Sequence, residues 1–466
     1  MRARTSSVSV GLAAIVSSSC LVGPNYKRPT VPEPAVYRGA ALQPAAQDAA
    51  SLGDEKWWDV FQDDALAALI RSGLEQNHDL RIAAARIVQA RALLGITRAD
   101  QLPEVSASAV ALNERAPRAV GRPPVETSPV QVGVAAAWEL DFWGKFRRAT
   151  ESARAELLSE EWARRQIMSS LVSDLASAYF QLREQDLELE ISRQTLASRA
   201  DSLRLTRLLA DGGATSLLDV RQAEQLVFGA SASIRDLEGR IEQQENFISI
   251  LVGRNPEGII RGRALVDQPL PPDVPAGLPS SLLERRPDIL EAEQQLVAAN
   301  ARIGVARADY FPRISLTAVG GFQSSALTRL FSGPAGLWSL GASALQPVFE
   351  GGRIRNRVQF AEARAAEAAA VYQRTVQHAF RDVSDALVGY QKSREVRVEQ
   401  QQLATAAEDA TRLSNMRYRG GAASYLEVLD SETRVFAAQL ALAQSQLREL
   451  QSLVQIYRSL GGGWQP

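Results

Sequence analysis

Apolar residues recur along the middle of this chain at a spacing that suits a long helix. From about Arg147 to Leu209 leucine returns every seven residues, at Leu175, Leu182, Leu189, Leu196 and Leu203. That period makes a coiled-coil seam rather than the broader face of a globular helix. The stretch has no proline, and no glycine between Thr150 and Ala210. At about 1.5 Å per residue, a helix of about 60 residues runs on the order of 90 Å. Globular helices average about three turns, so a compact helical domain is disfavoured. A second helix is expected over 215–252, and the same pair returns over 353–418 and 424–460. The pattern predicts two very long helical hairpins.

Upstream, apolar positions from Asp63 to Ala99 fall at helical spacing, with Asp63 placed to cap the helix N-terminus and Pro103 to end it. The period then drops to two. Val105, Ala107, Ala109 and Ala111 alternate with Glu104, Ser106, Ser108 and Val110; Val130, Val132, Val134, Ala136 and Trp138 alternate with Gln131, Gly133, Ala135 and Ala137. Strands are expected near 103–113 and 128–139, and again near 312–323 and 336–346. Each is about ten residues, the length of a tilted strand crossing a bilayer. Alternation alone also fits a soluble hairpin.

The chain is internally duplicated. Leu102-Pro-Glu-Val-Ser is echoed by Phe311-Pro-Arg-Ile-Ser, Phe142-Trp-Gly by Phe349-Glu-Gly, and Gly212-Gly-Ala-Thr-Ser-Leu-Leu-Asp-Val by Gly420-Gly-Ala-Ala-Ser-Tyr-Leu-Glu-Val. The first repeat is read as 63–268 and the second as 281–466, joined by a Pro-rich linker at 269–280. Each repeat reads as helix, two strands, very long helix, turn, shorter long helix. Four strands cannot close a barrel, yet an open edge cannot sit in lipid, so membrane strands would have to be pooled by several chains.

Composition narrows the function. Fifty-two basic and 53 acidic residues nearly balance, which gives no footprint for a nucleic-acid partner. The two histidines, His78 and His378, lie far apart with no ligand motif around them, so no metal is expected, and no cofactor. No nucleophile–base arrangement or phosphate-cradling glycine loop is found, which argues against an enzyme. No run of about 20 apolar residues offers a membrane helix. Residues 1–19 read as a signal peptide: Arg2 and Arg4, an apolar core from Val8 to Val16, then Ser17-Ser18-Ser19. Cys20, the only cysteine, follows at once and is the expected lipid-attachment site, although Ser17 stands where such sites usually carry leucine. Residues 20–62 form a lipidated, Pro-rich leader.

Several motifs in order, Cys20-Leu-Val-Gly-Pro-Asn-Tyr-Lys-Arg-Pro29, Glu284-Arg-Arg-Pro-Asp-Ile289, Tyr310-Phe-Pro-Arg-Ile314, Tyr418-Arg-Gly-Gly, Tyr425-Leu-Glu-Val-Leu-Asp430 and Leu460-Gly-Gly-Gly-Trp464, cover the mature chain. The chain thereby resembles the outer-membrane factor (TolC-like) family, in particular its lipoprotein branch serving resistance–nodulation–division (RND) multidrug efflux. The resemblance implies a mixed α and β fold. A homotrimer would build a twelve-stranded outer-membrane β-barrel, four strands per chain, continued by a long periplasmic α-helical coiled-coil barrel. It implies a passive exit duct partnered by a periplasmic adaptor, an inner-membrane RND-type transporter and outer-membrane lipid. It implies that Glu427 and Asp430 form paired constriction acids. It also implies a gate contact between Tyr418 and Asp219, with Ala423 standing where the family has a helping arginine. A type I protein-secretion duct would share the fold, and a structural coiled-coil lipoprotein would have no use for the duplicated strands.

Overall fold

The computed structural model describes residues 21–32, 34, 37, 56, 60–116, 125–269 and 279–463. The expected acylation site, Cys20, lies outside them. The helices are α1 (Asp64–Gln76), α2 (His78–Ala99), α3 (Lys145–Asp211), α4 (Leu217–Val252), α5 (Pro279–Arg285), α6 (Pro287–Ala308), α7 (Arg353–Arg419) and α8 (Tyr425–Ser459). The strands are β1 (Glu104–Ala111), β2 (Glu114–Ala116), β3 (Val125–Thr127), β4 (Val130–Leu140), β5 (Arg313–Ser324) and β6 (Gly336–Leu345). Two compact units result. One takes in Arg86–Glu161, Glu291–Gln373 and the leader up to Thr30; the other takes in Val31–Ala85, Trp162–Leu290 and Arg374–Pro466. None of the described helices is both long and apolar enough to cross a membrane.

In the first unit β1, β4, β5 and β6 form an antiparallel sheet in that order, and β2 pairs with β3 in a small separate ribbon that the sequence reading did not anticipate. The register sorts the residues. Val105 pairs with Ala136, Ala107 with Val134 and Ala109 with Val132. Trp138 pairs with Leu316, and Val132 with Phe322. Leu316 pairs with Ala342, Ala318 with Leu340 and Gly320 with Trp338. Directly paired residues share a face, so this face is apolar except for Ser324, which pairs with Val130 at its end. The opposite face carries Ser106, Ser108, Gln131, Glu139, Ser315, Thr317, Gln323, Ser339 and Ser343. Gly321 is required in the middle: a Cβ there would lie 2.3 Å from the Val132 carbonyl oxygen. At the strand–helix junctions Trp143 stacks on Phe311 with centroids 4.6 Å apart and donates to the Pro312 carbonyl at 2.8 Å. The leader is tied here too, through Arg148, whose guanidinium donates to Asn25 Oδ1 at 2.7 Å, and through Arg28 on Glu293.

The long helices begin and end on local capping signals, α3 starting in the first unit and ending in the second. Asp141 accepts from the backbone N–H groups of Phe146 and Arg147 at the start of α3. At its end Gly213 takes φ +74, and Ala214 N–H closes on the Leu209 carbonyl at 2.7 Å. The repeat-equivalent end of α7 is identical in kind, with Gly421 at φ +71 and Ala422 N–H on Arg417 at 2.8 Å. Along α3 Leu175, Leu182 and Leu203 are buried, while Leu189 and Leu196 are half-buried. The residues three further on, Ala178, Gln185, Ser192, Arg199 and Thr206, are all buried as well. The seam is therefore half leucine and half polar.

One expectation needs correction. The helix read as continuous from Asp63 to Ala99 is broken at Asn77. Its backbone turns out of the helix (φ −57, ψ 132), its Oδ1 accepts from Leu80 N–H at 3.1 Å, and its Nδ2 donates to the Leu251 carbonyl at 2.9 Å. A side chain that competes with the helix backbone ends one helix and caps the next. Asp63 does cap α1, accepting from Ala65 N–H at 2.9 Å and Leu66 N–H at 3.1 Å, and also takes Arg263 N–H and the Gln268 amide. These donors hold its carboxyl below the usual range, against the opposing push of burial.

Candidate functional site

The turns joining α3 to α4 and α7 to α8 bring the expected site residues into one neighbourhood of the second unit. Ser216 and Ser424 are the two N-cap residues, and Asp219 and Glu427 are the third residues of the helices that follow. They are repeat-equivalent acids used differently. Asp219 completes a capping box, accepting from Ser216 N–H at 3.1 Å and from the Thr215 and Ser216 hydroxyls. Those bonds, Thr215 foremost, hold its carboxyl below the usual value. Ser424 makes no side-chain cap, and Glu427 instead meets Arg417 at 3.3 Å.

Glu427 and Asp430 line one groove of about 760 Å³ on α7 and α8, with Gln400, Leu403, Ser431 and Arg434. Asp430 meets Arg434 at 2.8 Å. Both acids are exposed, and so are both arginines. Exposed pairs of this kind are worth about 1 kcal/mol or less, so the arginines can swing away from the acids at little cost. Sequence reasoning found the acids; it did not weigh Arg434, although its position four residues after Asp430 was a readable signal.

The expected contact between Tyr418 and Asp219 is not made within this chain. The Tyr418 hydroxyl is buried without a hydrogen-bond partner, its ring 5.5 Å from that of Tyr425, while Asp219 is held in its capping box. Tyr418 instead packs on an apolar cluster of Leu203, Val220, Ala223, Tyr425 and Val428, which joins α3, α4 and α8. Beside it a cleft of about 1330 Å³ is lined by Ser202, Leu209, Thr215, Asn415, Tyr418 and Arg419, among others. Among the described residues no cluster of His, Cys, Asp and Glu could hold a metal ion.

Residues 69–254 and 278–462 match the family described as outer membrane efflux protein. The chain is 36% identical over 462 residues, 98% of its own length and 95% of the relative's, to the probable efflux pump outer membrane protein TtgC of Pseudomonas putida. It is 35% identical over 468 residues, 100% of this chain and 97% of the other, to outer membrane protein OprJ of Pseudomonas aeruginosa. The solved structure of the outer-membrane channel OprN aligns with a TM-score of 0.90 at 34% identity, over 96% of this chain and 100% of that one.

Proposed function

The chain belongs to the outer membrane efflux protein family, and we propose that three copies pool their four-stranded sheets into a closed twelve-stranded barrel in the outer membrane. As a member of this family it is the outer-membrane exit channel of a tripartite efflux pump. It is passive rather than an enzyme, and it works with a periplasmic adaptor and an inner-membrane RND-type transporter. The observation that carries the barrel is the sheet itself, with one face apolar but for Ser324 at its end, the other mixed and rich in polar residues, and β1 and β6 as its two edges. Relatives named as toluene, solvent and antibiotic efflux proteins support small toxic or drug-like compounds as cargo.

The helix turns then form the periplasmic entrance, and Glu427 and Asp430 from three chains form two stacked acidic rings. Such rings attract cations and disfavour anions, more strongly where the lumen is narrow and water is scarce. Arg417 and Arg434 temper the field, and their exposed, weakly held positions let them give way to a passing cation. The test is reversal potential in planar bilayers across a salt gradient. Glu427→Gln with Asp430→Asn lowers cation preference and multivalent-cation block without a large loss of trimer; an unchanged reversal potential would leave these acids as a solvated helix face.

Cys20 is the anchor. A mature protein cleaved there and acylated starts at Cys20 in intact-mass measurement and carries fatty-acyl mass, which Cys20→Ala removes. A start elsewhere without that mass contradicts the anchor. Two or three acyl chains anchor firmly where one binds only marginally.

A further inference from the structure

Next to the apolar cluster that joins α3, α4 and α8 lies a layer of buried charge that no channel lining requires. Arg199 on α3 and Glu432 on α8 are each 5% exposed. Arg199 Nη1 donates to the Leu226 carbonyl of α4 at 3.0 Å, and its guanidinium carbon sits 5.0 Å from the Phe436 ring centroid on α8. Glu432 Oε1 accepts from the Ser202 hydroxyl of α3 at 2.9 Å. The arginine thus holds α4 and α8 while the glutamate holds α3, and no direct ion pair closes between them.

The layer is also under-bonded. Arg199 Nε and the Tyr418 hydroxyl are buried without a hydrogen-bond partner. Tyr425 has a hydrogen-bonding neighbour in Thr206 and Glu432 has one in Asn415, while Thr206 also donates to the Ser202 carbonyl and Asn415 to that of Thr411. Buried polar groups are nearly always satisfied, so two orphans beside a charge pair that does not close are unusual. A packed arrangement that leaves charge under-satisfied competes closely with one that separates the helices and admits water.

The duplication sharpens the point. One repeat further on, 208 residues after Arg199, stands Ala407. Around it the second hairpin uses neutral hydroxyls that are fully bonded: Ser414 and Ser431 meet at 2.6 Å, and Thr411 donates to the Ser431 carbonyl at 3.0 Å. The acid recurs, as Glu224 208 residues before Glu432, where Arg207 and Arg221 pair with it at 2.8 and 2.6 Å; the buried arginine does not recur.

We propose that Arg199 and Glu432 are a buried charge lock that couples the α3–α4 hairpin to α8 and holds the entrance in its resting state. The lock rests on the reading of these turns as the entrance. Removing one member leaves the other charge buried and unpaired, which opposes the packed state; removing both leaves a neutral contact near break-even. A residue pair that merely fills space would behave additively.

The test is the fraction of time that the full-length trimer, reconstituted in planar bilayers, spends in its high-conductance state. Arg199→Met and Glu432→Gln should each raise that fraction about tenfold, since unpaired buried charge is relieved only on opening. The double variant should return to within about threefold of wild type, the non-additivity expected of coupled groups. Ser202→Ala keeps both charges and the packing, and should give a smaller increase in the same direction, so the test survives if a charge variant fails to assemble. Variants that gate like a conducting wild type, or a double variant at the product of the two singles, would overturn the lock. A well-assembled wild type that never conducts would overturn the entrance reading, and the lock with it.

Discussion

Glu184 and Glu188 sit one turn apart on α3, both buried. Burial and the neighbouring Glu188 carboxylate push the Glu184 carboxyl up to about 8. Arg240 reaches Glu188 at 3.3 Å and the Gln444 amide donates to it at 3.1 Å, and the proton stays on Glu184. The folded-state pKa is raised, so the folded state binds the proton more tightly than the unfolded chain. The stabilisation is complete below about pH 4.5 and is lost as pH rises toward about 8. Glu184→Gln should therefore leave thermal stability nearly unchanged at pH 5 and raise it at pH 9, measured by the heat dissociation of the assembled protein. An equal shift at both values would mean that Glu184 carries its charge throughout. At the same scale, the exposed acids Glu427 and Asp430 rest on weak arginine pairs, whereas Arg199 and Glu432 are buried. Single substitutions should accordingly alter ion preference at the first pair and gating at the second.

Among the elements, the long helices were the most legible. Their proline-free length, heptad leucines and Gly-Gly ends leave little alternative, and the capping signal at Asp63 sits where a helix starts. What the heptad did not reveal is that every position three residues after its leucines is also buried, mostly by polar side chains such as Gln185, Ser192 and Arg199. Polar residues at helical spacing read as a solvated face; only the packing of α3 against α4 and α8 makes them interior. The break at Asn77 was missed for a related reason, since an asparagine inside apolar periodicity carries no sign of the Leu251 carbonyl that holds it. The strands were legible as alternation, and their register turns that alternation into one continuous apolar face. The β2–β3 ribbon was hidden in a Pro-, Arg- and Gly-rich interval that does not alternate.

For the whole molecule, the decisive quantity is the cost of open strand edges in lipid. β1 is eight residues long and β6 is ten. Backbone groups orphaned in hydrocarbon cost several kcal/mol each, so two open edges of this length cost on the order of tens of kcal/mol. That exceeds the net stability of about 5–15 kcal/mol typical of a folded domain. If the proposed barrel holds, a lone chain would have no stable membrane form, and closure by identical copies would join each β1 edge to the β6 edge of a neighbour. Three copies supply twelve strands. Native mass spectrometry of the full-length protein, extracted gently from outer membranes, tests this most directly. A trimer that dissociates only on heating is the predicted result. A predominantly monomeric species that keeps its strand signal would contradict the shared barrel.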